Sequence, residues 1–294
     1  MAVFGRVPLS PSVREIDLEF LGVPRSICSF ADVDGGWLVD PGPESTHRTL
    51  LAALPAGWAP RRILLTHIHF DHAGATGRLL ERWPEAEVWV HERGARHLID
   101  PARLVASATR VYGDAFDRLW GAVVPVPAAN VRALAGGEEV DGWRVAYTPG
   151  HASHHVSYRS PDDGSVFAGD VAGVRVGDGP AFPPTPPPDI DRELWLASLD
   201  RIAAWEPTAL RITHFGTWTD VDAHLAEVRE GLHRWGDLAR ERDAEAFGAA
   251  VEAHVADRTS DEAVRAAYRA SNPPATLWSG WARYWAQRDA AAQG

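Results

Sequence analysis

At 294 residues the chain is long enough for one large α/β domain, or for a domain with a smaller appendage, and either buries a sizeable core. Its formal charge of −11 presents no overall basic balance to attract nucleic-acid phosphates, and its single cysteine, Cys28, rules out an internal disulfide framework and suits a reducing compartment. All 29 cationic side chains are arginine, and the 13 tryptophans are scattered along the whole length, which fits core packing better than a dedicated aromatic site.

The first thirty residues carry Arg6, Pro8, Pro11, Arg14, Glu15, Asp17 and Glu19, with no apolar core of signal-peptide length. No window approaches a membrane span, so cytoplasm is the expected location. The runs Ile16–Phe20 and Trp37–Val39 are short and broken by Gly22-Val23-Pro24 and Asp34-Gly35-Gly36, which predicts strands joined by turns, the second turn a hairpin. A helix follows over 45–54. The aliphatic run Ile63-Leu64-Leu65 then stops abruptly at Thr66-His67-Ile68-His69-Phe70-Asp71-His72, before Ala73-Gly74 and a helical pattern reaching Trp83. This reads as strand, tight loop, helix, with three imidazoles and a carboxylate within six residues at the strand's carboxyl end. Four such groups would repel one another if protonated, and as packing they offer nothing that Ser or Asn would not. Neutral imidazole and ionised carboxylate are the usual ligands of zinc, iron and manganese, and the alternate spacing lets His67 and His69 turn toward one ion while Asp71 and His72 turn toward another.

Val88–His91 reads as a further strand, with His91 an ordinary strand-end residue. Helices are expected over 92–99 and 110–121, the second carrying Tyr112, Phe116 and Leu119 on one side as core filling. Three runs, 131–134, 139–140 and 143–147, form a succession of antiparallel strands that ends in Pro149-Gly150-His151. A strand over 154–158 leads through the turn at 161–164 to Val166-Phe167-Ala168-Gly169-Asp170, where a carboxylate closes an apolar strand. Alone, Asp170 reads as an Asx turn or helix cap. Residues 178–189, with five prolines between 183 and 188, make an extended, semi-rigid loop that either walls a substrate cleft with Phe182 or carries the chain across a surface. Asp189 or Asp191 then caps a helix running through Leu194 to Ile202, and the strand Ala209–Thr213 stops at His214. Beyond residue 220 the text turns Ala-, Arg- and Glu-rich, and helices are expected from 221 to about 238 and over 243–257, 260–271 and 276–291, with His224, His233 and His254 solvated on them. The expected division is a catalytic domain at 1–220 and a helical segment at 221–294 acting as cap or interface.

Four strands thus end in ligand-type residues: His67 to His72, then His151, Asp170 and His214. In a layered α/β architecture such ends converge at one sheet edge. Five histidines and two aspartates suffice for two metals sharing a carboxylate and a water, and a water held between two dications about 3.5 to 4 Å apart loses its proton near neutral pH and attacks a carbonyl or phosphoryl group.

With these residues the chain resembles the metallo-β-lactamase superfamily. The family's HxHxDH motif stands as His67-Ile68-His69-Phe70-Asp71-His72, and His151, Asp170 and His214 look like its later ligands; the likeness spans roughly residues 13–220. It implies a four-layer αββα sandwich, here with a C-terminal all-helical segment. It also implies that His67, His69 and His151 hold a first metal, that Asp71, His72 and His214 hold a second, and that Asp170 bridges them. The ions expected are two divalent metals, zinc first, with iron or manganese as alternatives. Asp40, at a turn the family often writes Asp-Thr-Gly, would orient a ligand histidine. In the family's glyoxalase II-like thioesterases a Ser-Pro-Gly-His follows the fourth ligand. Here His155 matches its histidine and serves to orient a ligand or simply to pack, while His154 replaces glycine with no assigned use.

The leading functional expectation is a binuclear hydrolase of the glyoxalase II-like or lactonase-like kind, cleaving a small ester, thioester or lactone. Its nucleophile would be a bridging hydroxide, with Asp170 and Asp71 as the catalytic carboxylates and Asp71 accepting or passing a proton. The alternatives are a single-iron oxidase like the persulfide dioxygenases, and a phosphodiesterase or nuclease, which the acidic balance disfavours. The expected partner is a small-molecule substrate, with no nucleic acid and no membrane, and homodimerisation left open.

Overall fold

The computed structural model describes residues 8–293; Arg6, one of the charges read near the start, lies outside them. Six strands form a first sheet in chain order: β1 (Val13–Asp17), β2 (Cys28–Asp32), β3 (Trp37–Val39), β4 (Arg62–Leu64), β5 (Glu87–His91) and β6 (Val131–Leu134). The first three pair antiparallel, and β3 to β6 run parallel. A second sheet holds β7 (Glu139–Val140), β8 (Trp143–Tyr147), β9 (Val156–Arg159), β10 (Val166–Phe167), β11 (Leu210–Ile212) and β12 (Gly216–Trp218), antiparallel except between β10 and β11.

Period-two alternation assigns the two faces of each strand. Cys28, Phe30, Trp37, Val39, Leu64 and Trp89 point inward and meet Trp143, Val145, Val156, Tyr158 and Phe167 of the second sheet. Edge-to-face pairs lock this seam, with Trp37 and Trp143 at 5.3 Å and Phe30 and Phe167 at 5.3 Å. The intervening residues Ala31, Leu38, Ile63, Val88 and Val90 face the other way, onto helices α1 (His47–Ala53), α2 (Phe70–Ala73), α3 (Thr76–Arg82), α4 (Glu92–Ile99), α5 (Ala102–Tyr112) and α6 (Phe116–Trp120). The outer face of the second sheet is covered by α7 (Arg192–Ala203), α8 (Val221–Glu241), α9 (Ala244–Arg258), α10 (Glu262–Ser271) and α11 (Pro274–Gln293). The molecule is therefore an αββα sandwich with a helical C-terminal extension. Val166, Leu210 and Ile212 of the sheet share one continuous apolar cluster with Leu232, Trp235, Phe247 and Trp281 of those last helices.

The structure corrects four expectations. β6 does not join an antiparallel succession: it pairs parallel to β5 as the last strand of the first sheet, because α4 to α6 supply the long crossover that parallel pairing needs. The helix expected over 110–121 is broken at Gly113, whose φ of +53° ends α5 at Tyr112 and lets α6 begin at Phe116. The proline-rich loop does not cross a surface, and Phe182 lines a hollow with Val251, Val255 and Tyr268 of the C-terminal helices, not a cleft at the 66–72 loop. Residues 180–185 are buried as a strap between the second sheet and the C-terminal helices, with the Phe182 ring 5.0 Å from Trp235. α11 comes close to the strap at Gly280, where any side chain would overlap the Thr185 carbonyl. Between the two capping candidates, Asp191 accepts from the Leu194 N–H at 2.9 Å, whereas Asp189 accepts from Ser153.

His224 is the fourth correction. It is fully buried beneath the second sheet, its Nε2–H donating to the Ala172 carbonyl at 2.7 Å while Nδ1 faces the Arg175 guanidinium. Burial, helped by the Arg175 charge and opposed by the Ala172 carbonyl and the carboxylates of Asp220 and Glu227, brings its pKa from 6.5 down to about 4. The unfolded chain then binds a proton that the folded chain excludes, so this contribution to stability is present above pH 6.5 and is lost as pH falls toward 4. A His224→Gln variant, which keeps a donor but does not titrate, is expected to lose less stability on going from pH 7 to pH 4.5, by up to about 3 kcal/mol. Urea unfolding at both pH values measures it, and parallel pH slopes for the two proteins would contradict it.

No helix among the described residues is both long and apolar enough to cross a membrane.

Candidate metal centre

The topology brings the seven residues to one edge. β3 and β4 are parallel neighbours, so Asp40 and the 66–72 loop leave from the same side. In the second sheet β10 and β11 are parallel, and β8, two antiparallel steps from β10, runs with them, so His151, Asp170 and His214 also emerge there. Open α/β sheets carry their sites at such carboxyl ends.

All seven side chains meet. His67 Nε2 and His151 Nε2 each lie 3.0 Å from His69 Nδ1, forming one trio. His72 Nε2 and His214 Nε2 lie 3.9 and 3.4 Å from Asp71 Oδ2, forming a second. Between them stands Asp170, with Oδ2 3.3 Å from His151 Nε2 and Oδ1 3.2 Å from His72 Nε2 and 3.7 Å from His214 Nε2. One carboxylate thus turns an oxygen toward each trio. His69 and Asp71 alone among the seven are partly exposed, so the centre opens to solvent between them.

The outer ring nitrogens fix which atom each histidine offers. His151 Nδ1 donates to the Pro184 carbonyl at 2.9 Å and His214 Nδ1 to the Ser26 carbonyl at 2.7 Å. His72 Nδ1 donates to Asp40 Oδ2 at 2.8 Å. His67 Nδ1 lies 3.1 Å from Thr66 Oγ1, which itself donates to Asp40 Oδ2 at 2.7 Å. In their neutral forms these imidazoles direct Nε2 lone pairs inward, onto one another and onto carboxylate oxygens. Lone pairs facing each other in a buried space need a cation between them. The buried His72 Nε2 and Asp170 Oδ1 have no hydrogen-bond partner, as atoms meant for an ion would. The donor set therefore fits divalent metal at both trios.

Protonation follows the same geometry. Burial and the neighbouring His72, His69 and His151 hold His67 well below the usual imidazole value, and burial and His151 bring His69 down to about 4. Burial also lowers His151. In the second trio burial pulls the same way but loses: Asp170 and Asp40 raise His72 well above its ordinary value, and Asp170 and Asp71 raise His214. Burial would raise the two carboxyls, yet His72 and His214 hold Asp71 at about 2, and His72 and His151 hold Asp170 well below the carboxylate range. Both aspartates are ionised acceptors.

Asp40 does more than the sequence reading gave it. Besides His72 it accepts from the Thr66 N–H at 2.8 Å, Thr66 Oγ1, and Thr213 Oγ1 at 2.9 Å, so it joins β3, the metal-motif loop and the residue before His214. Thr66 and Thr213, like the Pro184 and Ser26 carbonyls, escaped the sequence reading; the two threonines stand beside ligand histidines, which is the one signal that could have found them. His155 touches no ligand through a hydrogen bond. Its Nδ1 meets Thr148 Oγ1 at 2.9 Å and its ring lies 5.0 Å from that of His67. Gly169 allows this approach: with φ +47°, a side chain there would come within 2.7 Å of His155 Nε2 and 2.5 Å of Thr66 Oγ1. His91 caps α4, accepting from the Arg93 N–H, and is no ligand.

Residues 28–214 match the family model of the metallo-beta-lactamase superfamily. The metallo-beta-lactamase fold-containing protein ST1585 of Sulfurisphaera tokodaii is 35% identical over 175 residues, 56% of this chain and 65% of that one. The crystal structure of ST1585 superposes with a TM-score of 0.63 at 27% identity, covering 77% of this chain and 87% of that chain. The hydroxyacylglutathione hydrolase of Maricaulis maris is 33% identical over 171 residues, 58% of this chain and 54% of its own length. TTHA1623, solved in a di-iron-bound form, matches with a TM-score of 0.51 at 27% identity over 76% of this chain and 98% of that chain. The chain spans between about half and two thirds of the length of these two curated relatives. It belongs to the metallo-beta-lactamase superfamily, whose members are generally metal-dependent hydrolases.

Proposed function

We propose that this protein is a binuclear metallohydrolase of a small ester, thioester or lactone, with a thioester first among the three. The observation that carries the reading is Asp170, whose two oxygens face two separate ligand trios within 3.7 Å. The thioester preference draws on the likeness to hydroxyacylglutathione hydrolases. His67, His69 and His151 would hold one ion and Asp71, His72 and His214 the other. Zinc suits the imidazole-rich set, with iron or manganese the alternatives. Such a pair, when bound, acidifies a shared water and polarises the substrate's carbonyl oxygen.

The chain's own residues supply the rest. Pro184, Ser26 and Asp40 fix the tautomers of His151, His214 and His72, so the ligand atoms are aimed before any ion arrives. Asp71, with 23% of its side chain exposed against 5% for Asp170, is the carboxylate within reach of an incoming substrate, and its ionised oxygens can accept a proton there. A single-iron oxidase would leave the second trio without a purpose.

Purified protein is expected to carry two divalent ions per chain, to lose hydrolysis on chelation and to regain it with zinc. Metal analysis followed by thioester, lactone, ester, β-lactam and phosphodiester substrates on one preparation tests this. One iron per chain with oxygen uptake on a persulfide would sink the reading, as would hydrolysis confined to the phosphodiester.

A further inference from the structure

We propose that His154, the residue standing where the related thioesterases carry glycine, is a substrate-positioning donor: its Nε2–H holds an oxygen of the substrate's acyl group against the His69 side of the centre. The inference rests on the hydrolase reading above.

The loop from His151 to His155 is pinned almost everywhere. His151 is tied to Pro184, Ser153 N and Oγ both donate to Asp189 Oδ2, the Tyr147 hydroxyl donates to the Ser153 carbonyl, and His155 meets Thr148. His154 is tied at one nitrogen only. The Ile68 N–H, from the backbone between His67 and His69, donates to His154 Nδ1 at 3.4 Å. An Nδ1 that accepts carries no proton, so the neutral ring has its hydrogen on Nε2. Nε2 has no hydrogen-bond partner among the described residues, and the side chain is half-buried, so one N–H remains for an incoming acceptor.

Its surroundings say where that acceptor sits. The His154 ring lies parallel to His67 at 6.1 Å and perpendicular to His69 at 5.6 Å. His69 is one of the two ligands at the open rim, so a substrate reaching the centre passes this ring. His154 is absent from the groupings whose donor atoms converge closely enough to hold an ion, which fits a role toward substrate instead of metal. Glycine at 154 could donate nothing from a side chain, so this position separates the chain from the thioesterases it otherwise resembles.

The test is calorimetric titration of lactate, a 2-hydroxy carboxylate, into zinc-loaded wild type, His154→Phe and His154→Gln, with zinc content measured on each. Phe keeps the ring and removes the donor; Gln keeps a donor. The expected result is binding about tenfold weaker in His154→Phe, recovery in His154→Gln, and equal zinc in all three. Equal affinity across the three proteins, including no binding by any, overturns the proposal, as does a loss of zinc in His154→Phe that accounts for the weaker binding. The titration needs no turnover, so a protein that hydrolyses nothing in the substrate panel defeats the hydrolase reading and leaves this measurement to decide on His154 by itself.

Discussion

Asp170→Asn is expected to abolish hydrolysis, by a factor of a thousand or more, and to lower metal content from two ions per chain to one or none. Asparagine matches the carboxylate in shape but presents one oxygen and an NH2 group, so it can serve at most one trio. The lost charge matters equally. Asp170 is 3% exposed and stands among His72, His151 and His214, and without it the five imidazoles have only Asp71 to offset two dications. A thousandfold fall corresponds to about 4 kcal/mol of barrier, a size reached when a group stabilising charge in the transition state is removed. His69→Ala is the companion, since His69 Nδ1 is shared by the contacts to His67 and His151. Circular dichroism and metal analysis on both variants separate a lost site from a lost fold. A folded Asp170→Asn protein with turnover within tenfold of wild type would refute a bridging carboxylate.

How much of this centre was readable depended on whether a residue announces itself by side chain and by place. The 67–72 cluster is local, and His151, Asp170 and His214 each follow a short apolar run, so strand ends alone led to all seven. Asp40 was readable as a partner of one histidine only through the family resemblance, at the turn after Trp37–Val39. The rest is held by backbone carbonyls, Pro184 for His151 and Ser26 for His214, and a carbonyl has no letter in the sequence. The proline strap was misjudged because proline content predicts conformation but says nothing of burial. What buries it is the C-terminal helices: α8 brings Trp235 onto Phe182, and α11 needs Gly280 to approach Thr185. The same blindness affected His224: on an amphipathic helix with charged neighbours it reads as solvated, yet it turns under the sheet to the Ala172 carbonyl. The parallel placement of β6 was hidden by its nearness in sequence to the β7–β8 hairpin, whereas pairing was decided by the helical crossover before it.

The strap also gives the C-terminal helices a chemical connection to the centre. α11 lies against Thr185, whose hydroxyl donates to the Leu277 carbonyl at 3.1 Å, and the adjacent Pro184 carbonyl orients His151. A ligand of the first trio is thereby aimed by a contact whose support comes from residues far along the chain.

Asp40→Ala is expected to be the most damaging substitution at a residue that is not itself a proposed ligand. The carboxylate is fully buried and accepts from four donors, the Thr66 N–H, Thr66 Oγ1, Thr213 Oγ1 and His72 Nδ1. Removing it strands all four in a space closed to water, where each unpaired donor costs about 1–3 kcal/mol, and relaxation around the small alanine offsets part of the sum. A net loss of about 3–5 kcal/mol is expected, read as a shift of the urea midpoint at unchanged slope. Asp40→Asn gives the sharper chemical answer, because its Oδ1 can still accept while its NH2 faces hydroxyls and the His72 Nδ1–H. The second trio then loses the anion that fixes the His72 tautomer, and the Thr66 link to His67 is disturbed with it. Metal affinity should fall 10- to 100-fold, the range found when the partner of a ligating histidine is removed. The second trio, which holds His72, should empty before the first, so graded chelation of Asp40→Asn should pass through a one-metal species at chelator levels that leave wild type with two. Loss of both ions together, or wild-type affinity at both sites, would show that Asp40 supports the fold around the centre without setting the ligand it touches.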